Sequence, residues 1–215
     1  MNKKSLKTNF IKYCNRNKFE LNKNQIKIIE SLYFFYKKKQ IFLKALFKPN
    51  VKLGFYLRGD VGVGKTMILN FFFNFLNISK KRMHFNEFMI SFHDFRHKQK
   101  GNENLIEKFV KNYKKKYKLI YLDEFQVTNI VDAMILGKLF ETIFKEKIKV
   151  FFSTNTKISD LYKDGLQREQ FLPFIKIIKK YCIEEELIVK EDYRKSDLNN
   201  LERFFFINNN TVFKA

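Results

Sequence analysis

The sequence predicts an α/β fold, an αβα sandwich built on a central parallel sheet. Three stretches predict it. Residues 59–66, Gly-Asp-Val-Gly-Val-Gly-Lys-Thr, make a complete G-x-x-x-x-G-K-T between an apolar run and a helical period. Residues 119–124, Leu-Ile-Tyr-Leu-Asp-Glu, read as a buried strand ending in two acids. Residues 148–155 read as another strand, with a polar tip at Ser153-Thr154-Asn155.

In chain order, residues 1–20 are polar and basic and read as a loose start. From Asn22 or Asn24, either of which suits an N-cap, Ile26, Ile29, Leu32, Tyr33 and Tyr36 recur at helical spacing. Pro49 and Asn50 punctuate the approach to a first strand, Gly54-Phe55-Tyr56-Leu57. Behind the glycine-rich loop, Met67, Ile68, Leu69, Phe72, Phe73 and Leu76 keep a helical period, and Arg82 to Phe85 reads as a second strand. Gly101-Asn102 marks a loop, and residues 102–118 read as a solvated helix with Leu105, Phe109 and Tyr113 inward. A helix is predicted from Asp132 to about Lys147, an Ile-rich helix after Pro173 from Phe174 to Tyr181, and a strand from about Cys182 to Val189. The division expected is a basic segment and helix (1–50), a core (51–190) and the start of a truncated C-terminal region (191–215).

The loop carries the first chemistry. Of the chain's seven glycines, three lie at 59, 62 and 64, where they let the backbone wrap until several N–H groups point inward. The following helix adds the partial positive charge of its N-terminus. Gly59, Asp60, Val61, Gly62, Val63, Gly64, Lys65 and Thr66 are therefore the expected nucleotide-binding set, with ATP as ligand. Lys65 is expected to reach the β- and γ-phosphates, and the Thr66 hydroxyl to complete a Mg²⁺ shell with Asp123, the latter through water. Glu124 is placed to orient and deprotonate the attacking water. The plainer alternative, a strand whose Asp caps a helix, fits less well with a phosphate loop upstream. Asn155 is the candidate water-positioning residue, against a simple strand-ending Asn. An Asp-Glu strand end points to ATPases that use an additional catalytic Glu. No Asn-Lys-x-Asp guanine reader occurs, which argues against a GTPase.

Composition decides less. The net charge of +21 suits nucleic acid or an anionic surface, but Lys, Asn, Ile and Phe are all heavily used, as in an A/T-rich genome, and the lysines are spread along the chain. Charge alone does not choose the function, so nucleic acid stays a possible but less favoured partner. Arg is more informative where Lys is the easy choice, and it occurs only at 16, 58, 82, 96, 168, 194 and 203. Cys14 and Cys182 suggest neither a disulfide framework nor a zinc site, and no apolar run is long enough to span a bilayer. The basic N-terminus lacks the apolar stretch of a secretory signal, so a reducing cytoplasm is expected. His93 and His97 have metal-ligand spacing with no third ligand beside them, and a polar face or partner contact is the favoured reading.

Seven stretches together are more specific than any one. Residues 54–66, His84-Phe85-Asn86-Glu87-Phe88-Met89, Leu122-Asp123-Glu124-Phe125-Gln126-Val127-Thr128, residues 132–136, Ser153-Thr154-Asn155, residues 160–168 and Asp192-Tyr193-Arg194 closely resemble the ZapE-type ATPases. These are bacterial division-associated relatives of the mitochondrial "ATPase family gene one" proteins, and the resemblance runs over roughly residues 22–197 in order and spacing. It implies an AAA-like ATPase associated with the division ring, a division-ring protein as partner, and a homo-oligomer. It also implies that Arg168 is an arginine finger reaching a neighbour's γ-phosphate, a contact worth about 10³–10⁵ in rate where it operates. Arg194 matches the family's Asp-Tyr-Arg without an assigned role. Asn86 stands where the family commonly has His, and family members continue well beyond Asp-Tyr-Arg. Two other functions compete: a DNA-bound ATPase of the helicase-loader kind, and a non-hydrolysing nucleotide-gated scaffold.

Overall fold

In the computed structural model, residues 2–37, 51–99 and 104–188 are described. The apolar runs become strands β1 (Gly54–Arg58), β2 (Lys80–His84), β3 (Leu119–Asp123), β4 (Lys149–Thr154) and β5 (Cys182–Glu186). All pair in parallel, in the order β2-β3-β4-β1-β5. Residues of β3 and β4 are buried throughout, as expected of parallel strands covered on both faces. Alternation along each strand then makes two cores. Phe55, Leu57, Leu119, Tyr121 and Phe151 face helices α1 (Lys3–Arg16), α2 (Lys23–Lys37) and α3 (Lys65–Phe75). Tyr56, Ile120, Leu122, Val150 and Phe152 face α4 (Phe85–Lys98), α5 (Leu105–Lys116), α6 (Ile130–Lys145) and α7 (Arg168–Tyr181). This is the expected αβα sandwich.

The order of the strands places the chemistry. β4 lies between β1 and β3, so the polar tip of β4 stands between the glycine-rich loop and the Asp-Glu pair. Among the described residues β2 is an edge strand, and the charges of its exposed Lys81 and Arg82 discourage another strand from adding to it.

The N-terminus departs from expectation. Residues 3–16, expected to be loose, form α1, whose Leu6, Phe10 and Cys14 are buried at four-residue spacing. Asn2 caps it, accepting from the Lys4 amide at 3.1 Å, and Phe10 meets the Phe71 ring at 5.0 Å between centroids. Three apolar positions among lysines and asparagines gave too faint a period, and burial against α2 and α3 supplies what propensity alone does not. The cap of α2 is Asn22: its Oδ1 accepts from the Gln25 amide at 2.8 Å while Gln25 Oε1 accepts from the Asn22 amide at 3.0 Å, a reciprocal capping box. Its buried face is Gln25, Ile28, Ile29, Leu32, Tyr33 and Phe35, with the expected Ile26 and Tyr36 only half-buried.

Smaller shifts concern boundaries. β2 begins at Lys80 and gives way at Phe85 to α4. α6 starts at Ile130 after an Asn129 cap, and β5 ends at Glu186. α7 begins at Arg168 and runs through Pro173, because Phe171, Phe174, Ile175 and Ile178 bury one face and outweigh the missing amide bond. The Pro49-Asn50 turn, the Gly101-Asn102 loop, Val189, and Asp192-Tyr193-Arg194 with the C-terminal region fall outside the described residues. Among those described, no helix is long and apolar enough to cross a membrane.

Candidate active site

The loop between β1 and α3 turns through left-handed glycines. Gly64, at φ 96°, is the N-cap of α3, so the helix starts directly from the glycine-rich turn. At Gly59 a side chain would strike the Leu187 carbonyl oxygen, 2.5 Å from where its Cβ would stand. Lys65, the first residue of α3, folds back over the loop. Its Nζ donates to the Gly59 carbonyl at 2.8 Å, the Asp60 carbonyl at 2.6 Å and Asn155 Oδ1 at 2.7 Å. Burial lowers its pKa, opposed by the charges of Asp60 and Asp123.

Asp123 ends β3 with a side chain only 3% exposed. Its Oδ1 accepts from the Ser153 hydroxyl, the Tyr121 hydroxyl at 3.0 Å, the Glu124 amide at 3.2 Å and the Thr66 hydroxyl at 3.3 Å. Its Oδ2 accepts from Arg82 Nη2 at 2.5 Å. Burial alone would raise the Asp123 pKa; the bonds from Ser153, Arg82 and Tyr121 and the Arg82 charge outweigh it and hold the carboxyl below its ordinary value.

Glu124 follows at φ 53°, its amide bonded to Asp123 Oδ1 and to Ser153 Oγ at 3.2 Å each. Its side chain is 81% exposed, with Oε2 3.6 Å from His84 Nδ1. Val61, Gly62, Lys65, Thr66, Asp123, Glu124 and Asn155 line, with their neighbours, a cleft of about 350 Å³. The structure thus gathers Lys65, Thr66, Asp123, Glu124 and Asn155. Arg168 is not among the lining residues; it opens α7, and its Nη2 donates to the Ser159 carbonyl at 2.8 Å. His93 Nε2 lies 2.7 Å from Asp132 Oδ1, tying α4 to α6. Among the described residues, no three His, Cys, Asp or Glu side chains gather as metal ligands.

Arg82, Ser153, Tyr121 and His84 join the site without an expected role there. Arg82 had a signal, as one of few arginines in a lysine-rich chain. Tyr121 had another: two positions before Asp123 on a strand, it must share the same face.

The AFG1-like ATPase family model matches residues 11–215. Lactation elevated protein 1 homolog B of Danio rerio is 38% identical over 172 residues, 74% of this chain and 34% of that protein. Cell division protein ZapE of Escherichia coli K12 is 35% identical over 142 residues, 66% of this chain and 38% of that protein. The chain thus spans somewhat over a third of the length of these curated relatives. Among solved structures, DnaI superposes with a TM-score of 0.52 at 21% identity, over 80% of this chain and 89% of that one. AMPPCP-bound DnaA from Aquifex aeolicus superposes at 0.53 and 19% identity, over 86% and 54%. At such identities the likeness is one of fold.

Proposed function

The chain belongs to the AFG1-like ATPase family, and from that premise we propose that it binds Mg²⁺·ATP and hydrolyses it to ADP and phosphate. One observation carries the reading. The Lys65 ammonium is stored at the mouth of the loop by three oxygen acceptors, beside a Thr66 hydroxyl bonded to a buried carboxylate. An ammonium held by neutral oxygens exchanges them for phosphate oxygens at a gain, because the new partners are charged.

Hydroxyl and carboxylate oxygens are hard donors, and Thr66 and Asp123 at 3.3 Å fit Mg²⁺. When bound there, Mg²⁺ supplies positive charge to the β- and γ-phosphate oxygens. Every other step is the protein's own. Lys65, on leaving Asn155, frees the Asn155 amide to orient a water. Glu124 turns its carboxylate from His84 into the cleft that it lines and accepts the proton of that water. Arg168, half-buried at the start of α7 beside a 75%-exposed Leu166, acts in a neighbouring copy, so the working form is a homo-oligomer. Residues 51–190 are the ATPase core. The free, buried Cys14 and Cys182 support a reducing, cytoplasmic setting. The work done with ATP is remodelling of division-ring or membrane proteins, supported by the resemblance and by the name of the Escherichia coli relative.

Steady-state ATP hydrolysis and ATP binding, measured across a wide protein concentration range, test this. Lys65→Ala is expected to abolish binding. Glu124→Gln is expected to keep it while turnover falls about 10²–10⁴-fold. The specific rate should rise with concentration and collapse in Arg168→Ala. Unchanged turnover in both Lys65→Ala and Glu124→Gln overturns the reading.

A further inference from the structure

The two oxygens of Asp123 have different company. Oδ1 faces Thr66, the side on which the Mg²⁺ shell belongs, and is held by Ser153 and Tyr121. Oδ2 is given to Arg82, the ion pair that the structure records for this carboxylate. Arg82 comes from the edge strand β2, opposite Tyr121 in register, and its guanidinium rests over the Tyr121 ring at 5.4 Å. Its side chain is 39% exposed, whereas Asp123 is buried. An ionised carboxylate buried without a countercharge is strongly destabilising, so something must balance Asp123 whenever no metal is bound.

We propose that Arg82 is the resident counter-cation of the Mg²⁺ site, neutralising Asp123 in the metal-free protein and competing with Mg²⁺ for the same negative charge. The inference rests on the Mg²⁺·ATP reading above. Two cations that draw on one carboxylate weaken each other, and linkage makes the effect reciprocal: what Mg²⁺ loses to Arg82, Arg82 loses to Mg²⁺. Placement on an edge strand suits the task, because the guanidinium has water on its open flank and need not be stranded when the metal arrives. The charge, more than the planar fork, is what the task requires, so Lys should largely substitute for Arg here.

The test uses the whole chain, a fluorescent N-methylanthraniloyl ATP and a Mg²⁺ titration. For Arg82→Gln, the Mg²⁺ concentration that half-maximally strengthens nucleotide binding should fall about fivefold, at the low end of coupling effects because Arg82 is partly solvated. Arg82→Lys should stay within about twofold of the parent on the same scale. The metal-free Arg82→Gln protein should melt earlier than the parent, and Mg²⁺·nucleotide should close most of that gap. A half-saturation unchanged or raised in Arg82→Gln, as a merely structural contact would give, overturns the inference. If Arg82→Gln does not fold alone, it is made in an Asp123→Asn background, where no countercharge is needed. There it should fold and cost no further stability, and a further loss overturns the inference. A parent whose nucleotide affinity ignores Mg²⁺ overturns the proposed function and this inference with it. A parent that responds, with Arg82→Gln unmoved, overturns this inference alone.

Discussion

Two arginine–carboxylate pairs flank the glycine-rich loop from opposite edges of the sheet, one between β2 and β3 and one between β1 and β5, and they are built in opposite ways. At β3 the acid is buried and the base is half out: Asp123 is almost wholly covered and Arg82 reaches it from the sheet edge. At β5 the base is the more enclosed partner. Arg58, 17% exposed at the end of β1, takes Glu186 with both Nη1 and Nη2 and lies 3.5 Å from Glu184, both acids facing water. A buried acid ringed by donors keeps its charge in a fixed place and can serve a metal. Exposed acids around an enclosed arginine clamp one strand to the next, as the in-register Arg58–Glu186 pair does for β1 and β5. Both join a guanidinium to a carboxylate; which partner is dry decides the task.

The two pairs should differ most in activity. Asp123→Asn should lower Mg²⁺-dependent turnover about 10–100-fold, the range for losing a water-mediated metal partner, while Glu186→Gln leaves it within about twofold. An equal loss in both variants, in the same hydrolysis assay, means that the two pairs do not differ in task. A smaller effect is expected at the other pair. Arg58→Met should cost about 1 kcal/mol of stability by urea unfolding, the range of partly exposed ion pairs, with Mg²⁺ half-saturation unmoved.

The smallest expected effect is on acid stability. The Asp123 carboxyl is held below its ordinary value, so the folded state binds its proton less readily than the unfolded chain does. Its contribution is therefore complete above the ordinary carboxylate range, at about pH 5 and higher, and is lost as the pH falls below about 4 toward the folded value. Thermal melts from pH 6 down to pH 3 should fall more steeply for the parent than for Asp123→Asn. Parallel curves remove Asp123 from the list of charges that the fold protects.

Much of the site was legible because its members lie within short stretches of known period. The loop at residues 59–66 announces itself by three glycines before Lys65-Thr66, and Asp123-Glu124 by the apolar run before it. Asn155 came from the same logic, and the structure sets its amide oxygen against Lys65. Glu124 was legible as a residue but not as a posture, since its turn toward His84 depends on β2 lying beside β3. Helix α1 was missed because its buried face is three residues wide in a lysine-rich segment, and only packing on α2 and the ring of Phe71 gives that face a purpose.

The parallel α/β class, the glycine-rich loop and the acids at the end of β3 could be read from the sequence, because each depends on hydrophobic period and on backbone chemistry within a few residues. The tertiary structure alone decided that Arg82 balances Asp123, that Ser153 and Tyr121 hold it, and that Lys65 waits on Asn155. Arg82 stands 41 positions before Asp123 and Lys65 stands 90 before Asn155. No local period spans such distances; strand order and register bring these side chains within bonding range, and they are properties of the packed sheet.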